Sequence, residues 1–183
     1  MNKAGIWQEI KLMLILSMVC ALFLGGTRIA IGERAELSDK TIESIYSILG
    51  EKVEHNKLYE QFSKDYKQIN KGRIKIWQSV NNSSIHAYEA SGSGMWAEIT
   101  LVFVVDLSKK QIIGLRVTEQ KETPGVGSKI AEEEFFSQFN SMSCVNEVKV
   151  DAVTGATTSS KSVEKLLNKS LKRQMSLEKG ELK

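Results

Sequence analysis

Met95-Trp96-Ala97-Glu98-Ile99-Thr100-Leu101-Val102-Phe103-Val104-Val105-Asp106 is the stretch on which the fold turns. Its β-branched and aromatic run predicts a long strand. The polar segment Leu107 to Lys110 predicts a turn, and Gln111 to Gln120 returns as the partner strand. Upstream, Arg73 to Val80, a turn at Asn81-Asn82-Ser83-Ser84 and Ile85 to Ser91 predict a second hairpin, joined to the first by the flexible Gly92-Ser93-Gly94. Two consecutive hairpins make an antiparallel sheet. Helices flank it: Ser38 or Asp39 caps a run carrying Ile42, Ile45, Tyr46, Ile48 and Leu49, stopped by Gly50. Leu58, Phe62, Tyr66 and Ile69 form a second helical stripe that ends near Gly72. The aromatic residues there read as core rather than as a cofactor box. Ala131 to Phe139 predicts a short helix with Phe135, Phe136 and Phe139 inward. The expected fold class is α+β, an antiparallel sheet packed with helices, preceded by one N-terminal transmembrane helix.

The chain has 183 residues, 42% hydrophobic and 26% charged, which allows one ordinary globular domain plus an appendage. No repeat or low-complexity tract is visible. A net charge of +3, with basic residues scattered or near the termini, argues against nucleic acid as a partner. Cys20 and Cys144 lie far apart, and His55 and His86 have no ligand spacing around them, so neither a disulfide framework nor a metal site is expected.

The appendage is N-terminal. Leu12 to Thr27 carries no charge, and with Ile10 and Ile29 to Ile31 included, and Lys11 and Arg28 snorkelling, the apolar span reaches roughly 20 residues, enough to cross a bilayer. A small-x-small cleavage site is not evident, and Val19 beside Cys20 is a poor lipoprotein signature, so the segment reads as an uncleaved single-pass anchor over 10–31. Lys3 and Lys11 face Arg28 and Arg34 across the span, so charge barely decides orientation. The early position of the anchor favours a cytoplasmic N-terminus (1–9) and an extracytoplasmic globular domain on a cell (inner) membrane. A helical juxtamembrane region is expected over 32–72, the main domain over 73–177 and a tail over 178–183.

Chemistry is suggested at Asp151-Ala152-Val153-Thr154-Gly155-Ala156-Thr157-Thr158-Ser159-Ser160. Before it, Glu147 to Val153 alternates with strand period, placing Val148, Val150 and Ala152 on one face. After it, Val163, Leu166, Leu167, Leu171 and Met175 recur at helical spacing. Thr157 to Ser160 then falls at a helix N-terminus, where backbone N–H groups lack partners and an anion is favoured. The hydroxyls of Thr154, Thr157, Thr158, Ser159 and Ser160 add donors, while Gly155 and Ala156 allow close backbone approach. The guest these features suit is a phosphate; the plain alternative is an N-capped helix after a tight turn.

A second loop, Lys121-Glu122-Thr123-Pro124-Gly125-Val126-Gly127-Ser128-Lys129, holds the only proline of the chain. Pro124 presets φ and Gly125 permits φ > 0, so an ordered turn is predicted, which as a turn needs no ligand.

These two loops carry a resemblance. Glu122 to Gly127 (ETPGVG) resembles the ETPGLG loop, and Asp151 to Thr157 (DAVTGAT) resembles the D-x-x-[ST]-G-A-T flavinylation motif, of the FMN-binding domain family. That family includes the G subunit of the Rnf electron-transport complex and the C subunit of the sodium-translocating NADH:quinone reductase. The resemblance implies covalent FMN, placed by a flavin transferase from FAD, through its phosphate, on the hydroxyl of Thr157. It implies that Asp151 is read by the transferase or braces the turn. Glu122, Thr123, Gly125, Val126 and Gly127 become candidates to line the flavin, with Lys129 near enough to offer charge. Met95 and Trp96 are similar to a Gly-Leu-Trp segment of the quinone reductase protein and either stack on the ring or fill the core. Val126 and Thr154 depart from the usual leucine and serine while keeping shape or hydroxyl.

The implied function is a membrane-anchored redox subunit of an Rnf-type ferredoxin:NAD oxidoreductase coupled to sodium or proton translocation. It would work beside the other membrane and peripheral subunits and catalyse no complete reaction alone. Membership of the quinone reductase, a free-standing extracytoplasmic flavin carrier, and a tethered ligand-binding or assembly module are the alternatives. The lysines of the terminal helix opposite its apolar stripe read as a solvated face.

Overall fold

The computed structural model describes residues 7, 11–21, 37–70 and 74–178. Contacts divide the chain into Met1–Leu37 and Ser38–Lys183. In the first unit, residues 11–21 (α1) are helical and exposed. The rest of the anchor expected over 10–31 lies outside the described residues, as do all of 1–9 but Trp7 and the tail beyond 178. Among the described residues no helix is long and apolar enough to cross a membrane.

The second unit is α+β. Its helices are α2 (Asp39–Leu49), α3 (Leu58–Asp65), α4 (Glu133–Ser137) and α5 (Thr157–Glu178). Its strands are β1 (Tyr66–Asn70), β2 (Ile74–Ser79), β3 (Ile85–Ser93), β4 (Glu98–Asp106), β5 (Gln111–Glu119) and β6 (Met142–Ser143). The six strands lie in sequence order, and every neighbouring pair is antiparallel. Both predicted hairpins are present, and the Asp106 carboxylate closes the β4–β5 turn by accepting from the N–H groups of Ser108 and Lys109.

Helices cover both faces of the sheet, α2 against β4 and β5, α5 against β3 and β4. This explains why Leu101 to Val105 is apolar without a break. Leu101, Phe103 and Val105 join the core beneath α5 with Tyr88, Val163 and Leu167, while Val102 and Val104 are equally buried and alternate with them. Tyr88 stacks on Phe103 at 4.8 Å between ring centroids. An aromatic group of Tyr46, Phe62, Tyr66 and Trp77 forms beside α2 and α3. Glu89, buried in β3, accepts from the Thr41 hydroxyl of α2 at 2.7 Å and pairs with Lys75. Gly50 ends α2 as expected, with φ +75° and its N–H turned back to the Ser47 carbonyl.

Two expected elements differ. The second helical stripe stops at Asp65, and Tyr66 to Asn70 is an edge strand. Pairing with β2 overrides the helical spacing; Tyr66 is buried, stacked on Phe62, while Ile69 is exposed. The strand expected over Glu147 to Val153 is not formed, and these residues pair with no strand. Side chains satisfy the backbone instead. Asn168 takes both backbone groups of Val148 at 2.8 Å each, and Glu164 accepts from Val150 N–H. Val148 is buried, Val150 half-buried and Ala152 exposed, so the three do not share one covered face.

Candidate functional site

Three segments far apart in sequence meet at one end of α5. The first follows β3. Residues 95–97 form a bend before β4 instead of starting the strand, and Gly94 N–H closes it on the Ala97 carbonyl at 2.7 Å. The cause is Glu122. Its Oε1 accepts from the N–H groups of Met95 at 3.0 Å and Trp96 at 3.2 Å, which pulls the backbone out of strand pairing. At the bend, Met95 and Trp96 are 53% and 71% exposed, an unusual cost for large apolar side chains unless something covers them.

The second segment leaves β5. Gln120 Oε1 accepts from Glu122 N–H at 2.7 Å, turning the chain inward. Thr123 to Val126 then forms the ordered turn that Pro124 and Gly125 predict, with Gly125 at φ +71° and Val126 N–H on the Thr123 carbonyl at 3.1 Å. Gly127 must be small here: a Cβ would stand 2.9 Å from both Glu122 Cβ and Ser159 Oγ.

The third segment is the start of α5. Gly155 adopts φ +84°, and Ala156 N–H closes the turn on the Val153 carbonyl at 2.8 Å. Thr157 opens the helix and is exposed. By helix geometry the first N–H groups of α5 have no intrahelical acceptor, so this end carries a partial positive charge.

Met95, Trp96, Glu122, Thr123, Val126, Gly127 and 155–159 line one cleft of about 380 Å³. Of the residues singled out in sequence, Gly125, Lys129, Asp151, Thr154 and Ser160 are not on its wall. Gly125 N–H is held by the Ser128 hydroxyl, and Lys129 Nζ donates to the Thr154 carbonyl at 3.3 Å, tying the two loops together. Asp151 N–H donates to Gln138 Oε1 at 2.8 Å, and buried Ser160 Oγ accepts from Val153 N–H at 3.3 Å.

Glu122 is 4% exposed, and its second oxygen accepts from the Ser159 hydroxyl at 2.8 Å. Burial, the largest single influence, pushes its carboxyl up; the Ser159 hydroxyl and the N–H groups of Trp96, Ala97 and Met95 together outweigh it and hold Glu122 below the usual carboxylate range. The resemblance makes Glu122 a lining candidate. The structure adds a brace that spans all three segments, which only the pairing of Glu122 with Ser159 discloses.

Residues 94–172 match the family model of the FMN-binding domain, so the resemblance carried by the two loops holds, and the matched stretch contains every residue of the cleft wall. No curated protein matches the chain. In fold the chain is similar to the C subunit of the Na(+)-translocating NADH-quinone reductase from Parabacteroides distasonis, with TM-score 0.53 and 19% identity over 73% of this chain and 89% of that one. It is also similar to Shewanella oneidensis NqrC, with TM-score 0.59 and 16% identity over 76% of this chain and all of the other.

Proposed function

We propose that the cleft holds FMN, joined through its phosphate to the Thr157 hydroxyl, and that the chain is a membrane-anchored electron-transfer subunit of an Rnf-type ion-translocating oxidoreductase. The carrying observation is that one FMN-binding-domain match encloses a cleft which sets an exposed threonine at a helix N-terminus beside exposed apolar side chains.

The residues suit the group. The cleft of about 380 Å³ lies within the ~300–1,000 Å³ of ordinary cofactor sites. The N-terminal end of α5 favours a phosphate, and Gly155, where a Cβ position has only Val126 Cγ1 near it at 3.9 Å, leaves backbone room beside it. Met95, Trp96 and Val126 offer apolar contact to a flat ring, which would remove their exposure. Bound FMN supplies electron uptake and release. The protein's part is to hold, orient and shield: Thr157 anchors, α5 stabilises the phosphate charge, and Glu122 fixes the wall that carries Met95 and Trp96. Attachment from FAD forms a bond between the Thr157 oxygen and the flavin-side phosphorus, breaks the P–O–P bridge, releases AMP and frees the hydroxyl proton. A flavin transferase is the catalyst required.

The uncharged run from Leu12 to Thr27 supports a single-pass anchor, with the domain outside the cytoplasm. Partners would then be the other subunits of the complex. The segment Met95-Trp96 and the names of both fold relatives favour the sodium-translocating quinone reductase as a second reading. Co-purification of neighbouring subunits from membranes separates the two.

The test of attachment is the chain co-expressed with its transferase, read by intact mass and by flavin fluorescence in a denaturing gel. Both signals should vanish in Thr157→Val and persist in Thr158→Val. Full signal in Thr157→Val would remove Thr157 as the attachment point.

A further inference from the structure

Beside the cleft lies a second concavity, about 470 Å³, between the end of β3 and the flank of α5. At its floor Gly92 lets α5 come close to β3, because a Cβ there would stand 2.9 Å from Leu166 Cδ1. Its rim carries Lys165, Lys169 and Arg173, and the end of β3 from Ser91 to Ser93 forms part of its wall. The three cations recur every four residues, so they form one row of roughly 12 Å along α5. All three are exposed, and among the described residues none has an ion pair, whereas Lys172, elsewhere on the same helix, reaches Glu147 at 3.8 Å. No acidic side chain lines the groove. The groove adjoins the cleft on both walls: Gly94 precedes Met95, and Ser162 follows Thr158 by one helical turn.

We infer that this groove docks an acidic electron-carrier protein and sets its redox centre toward the open side of the cleft. The inference rests on the FMN reading above. An uncompensated row of like charges next to a redox site suits a transient partner, because such complexes use small interfaces and gain encounter rate from opposite charge. A bilayer fits less well. Surface-binding helices insert an apolar stripe, but Val163, Leu167 and Leu171 of α5 are spent on the core and Ile74 in the groove is buried. With an acidic cytochrome c as the probe, one electron would pass from the reduced flavin to the ferric haem, which would become ferrous, with no covalent bond formed or broken.

The experiment is stopped-flow reduction of an acidic cytochrome c by the reduced full-length holoprotein, with a basic cytochrome c as control. The wild-type rate constant should fall steeply with ionic strength. The triple variant Lys165→Glu, Lys169→Glu, Arg173→Glu, checked for equal flavin content, should lose at least ~10-fold at low salt and reverse the salt dependence, its rate rising as salt screens the repulsion. The same variant should react faster with the basic cytochrome. The triple glutamine variant should fall between, which guards against misfolding of the reversed one. An unchanged rate with the acidic cytochrome overturns the proposal, as does retention on phosphatidylglycerol vesicles through these residues with no change in rate. Wild type purified without flavin sinks the FMN reading instead, and salt-dependent binding of the acidic cytochrome to that flavin-free chain then decides the groove by itself.

Discussion

Removing the Glu122 carboxylate should uncouple the three walls of the cleft. In Glu122→Ala the Ser159 hydroxyl, 1% exposed, loses its acceptor, and so do the N–H groups of Met95 and Trp96. An unsatisfied buried donor costs about 1–3 kcal/mol, but the bend is open enough for water to replace part of its two bonds, so the loss should total about 2–4 kcal/mol. Glu122→Gln keeps the volume and an acceptor oxygen while removing the charge, and should cost about 1–2 kcal/mol. Urea unfolding of the flavin-free protein against pH reads both. The sign follows from the direction of the shift: the folded carboxyl lies below its ordinary value, so its contribution is present above the unfolded value of about 4.3 and is lost as pH falls through the folded one. The gap between wild type and Glu122→Gln should therefore be constant from neutral pH down to about 5 and narrow below it. Equal stability of Glu122→Ala and wild type, or a gap independent of pH, would refute the brace.

Two further outcomes follow from neighbouring contacts. Asn168→Ala should strip both backbone bonds from buried Val148 and lower stability by about 2–4 kcal/mol, seen as an earlier urea midpoint at unchanged slope and faster amide exchange at Val148. Gly127→Ala puts a methyl 2.9 Å from Glu122 Cβ and should cost about 1–3 kcal/mol, with a lower Tm and less flavin retained per chain.

The two hairpins were legible because each turn is short, polar and flanked by residues of strand character, and α5 because Val163, Leu167 and Leu171 repeat along its buried side. The segment 147–153 misled because alternation of side chains does not say what satisfies the backbone; the partners here are Asn168 and Glu164, which no local pattern reveals. Tyr66 likewise sits at helical spacing from Phe62, yet strand pairing captures it. At the site, residues of 155–159 and of 122–127, the first singled out by composition and the second by the resemblance, meet at one cleft. The bend at Met95 was not visible, because a carboxylate 27 residues later makes it.

The sequential order of the strands has a consequence for biogenesis. Each strand pairs with its chain neighbour, so the sheet needs few distant contacts and can assemble early. The cleft cannot, since its third wall is the start of α5, which follows every strand. A nascent chain halted before α5 would have the hairpins but no pocket, and Thr157 would hang on an unformed helix. Any enzyme that modifies Thr157 thereby meets a built-in timer: a complete substrate exists only once the last helix has docked.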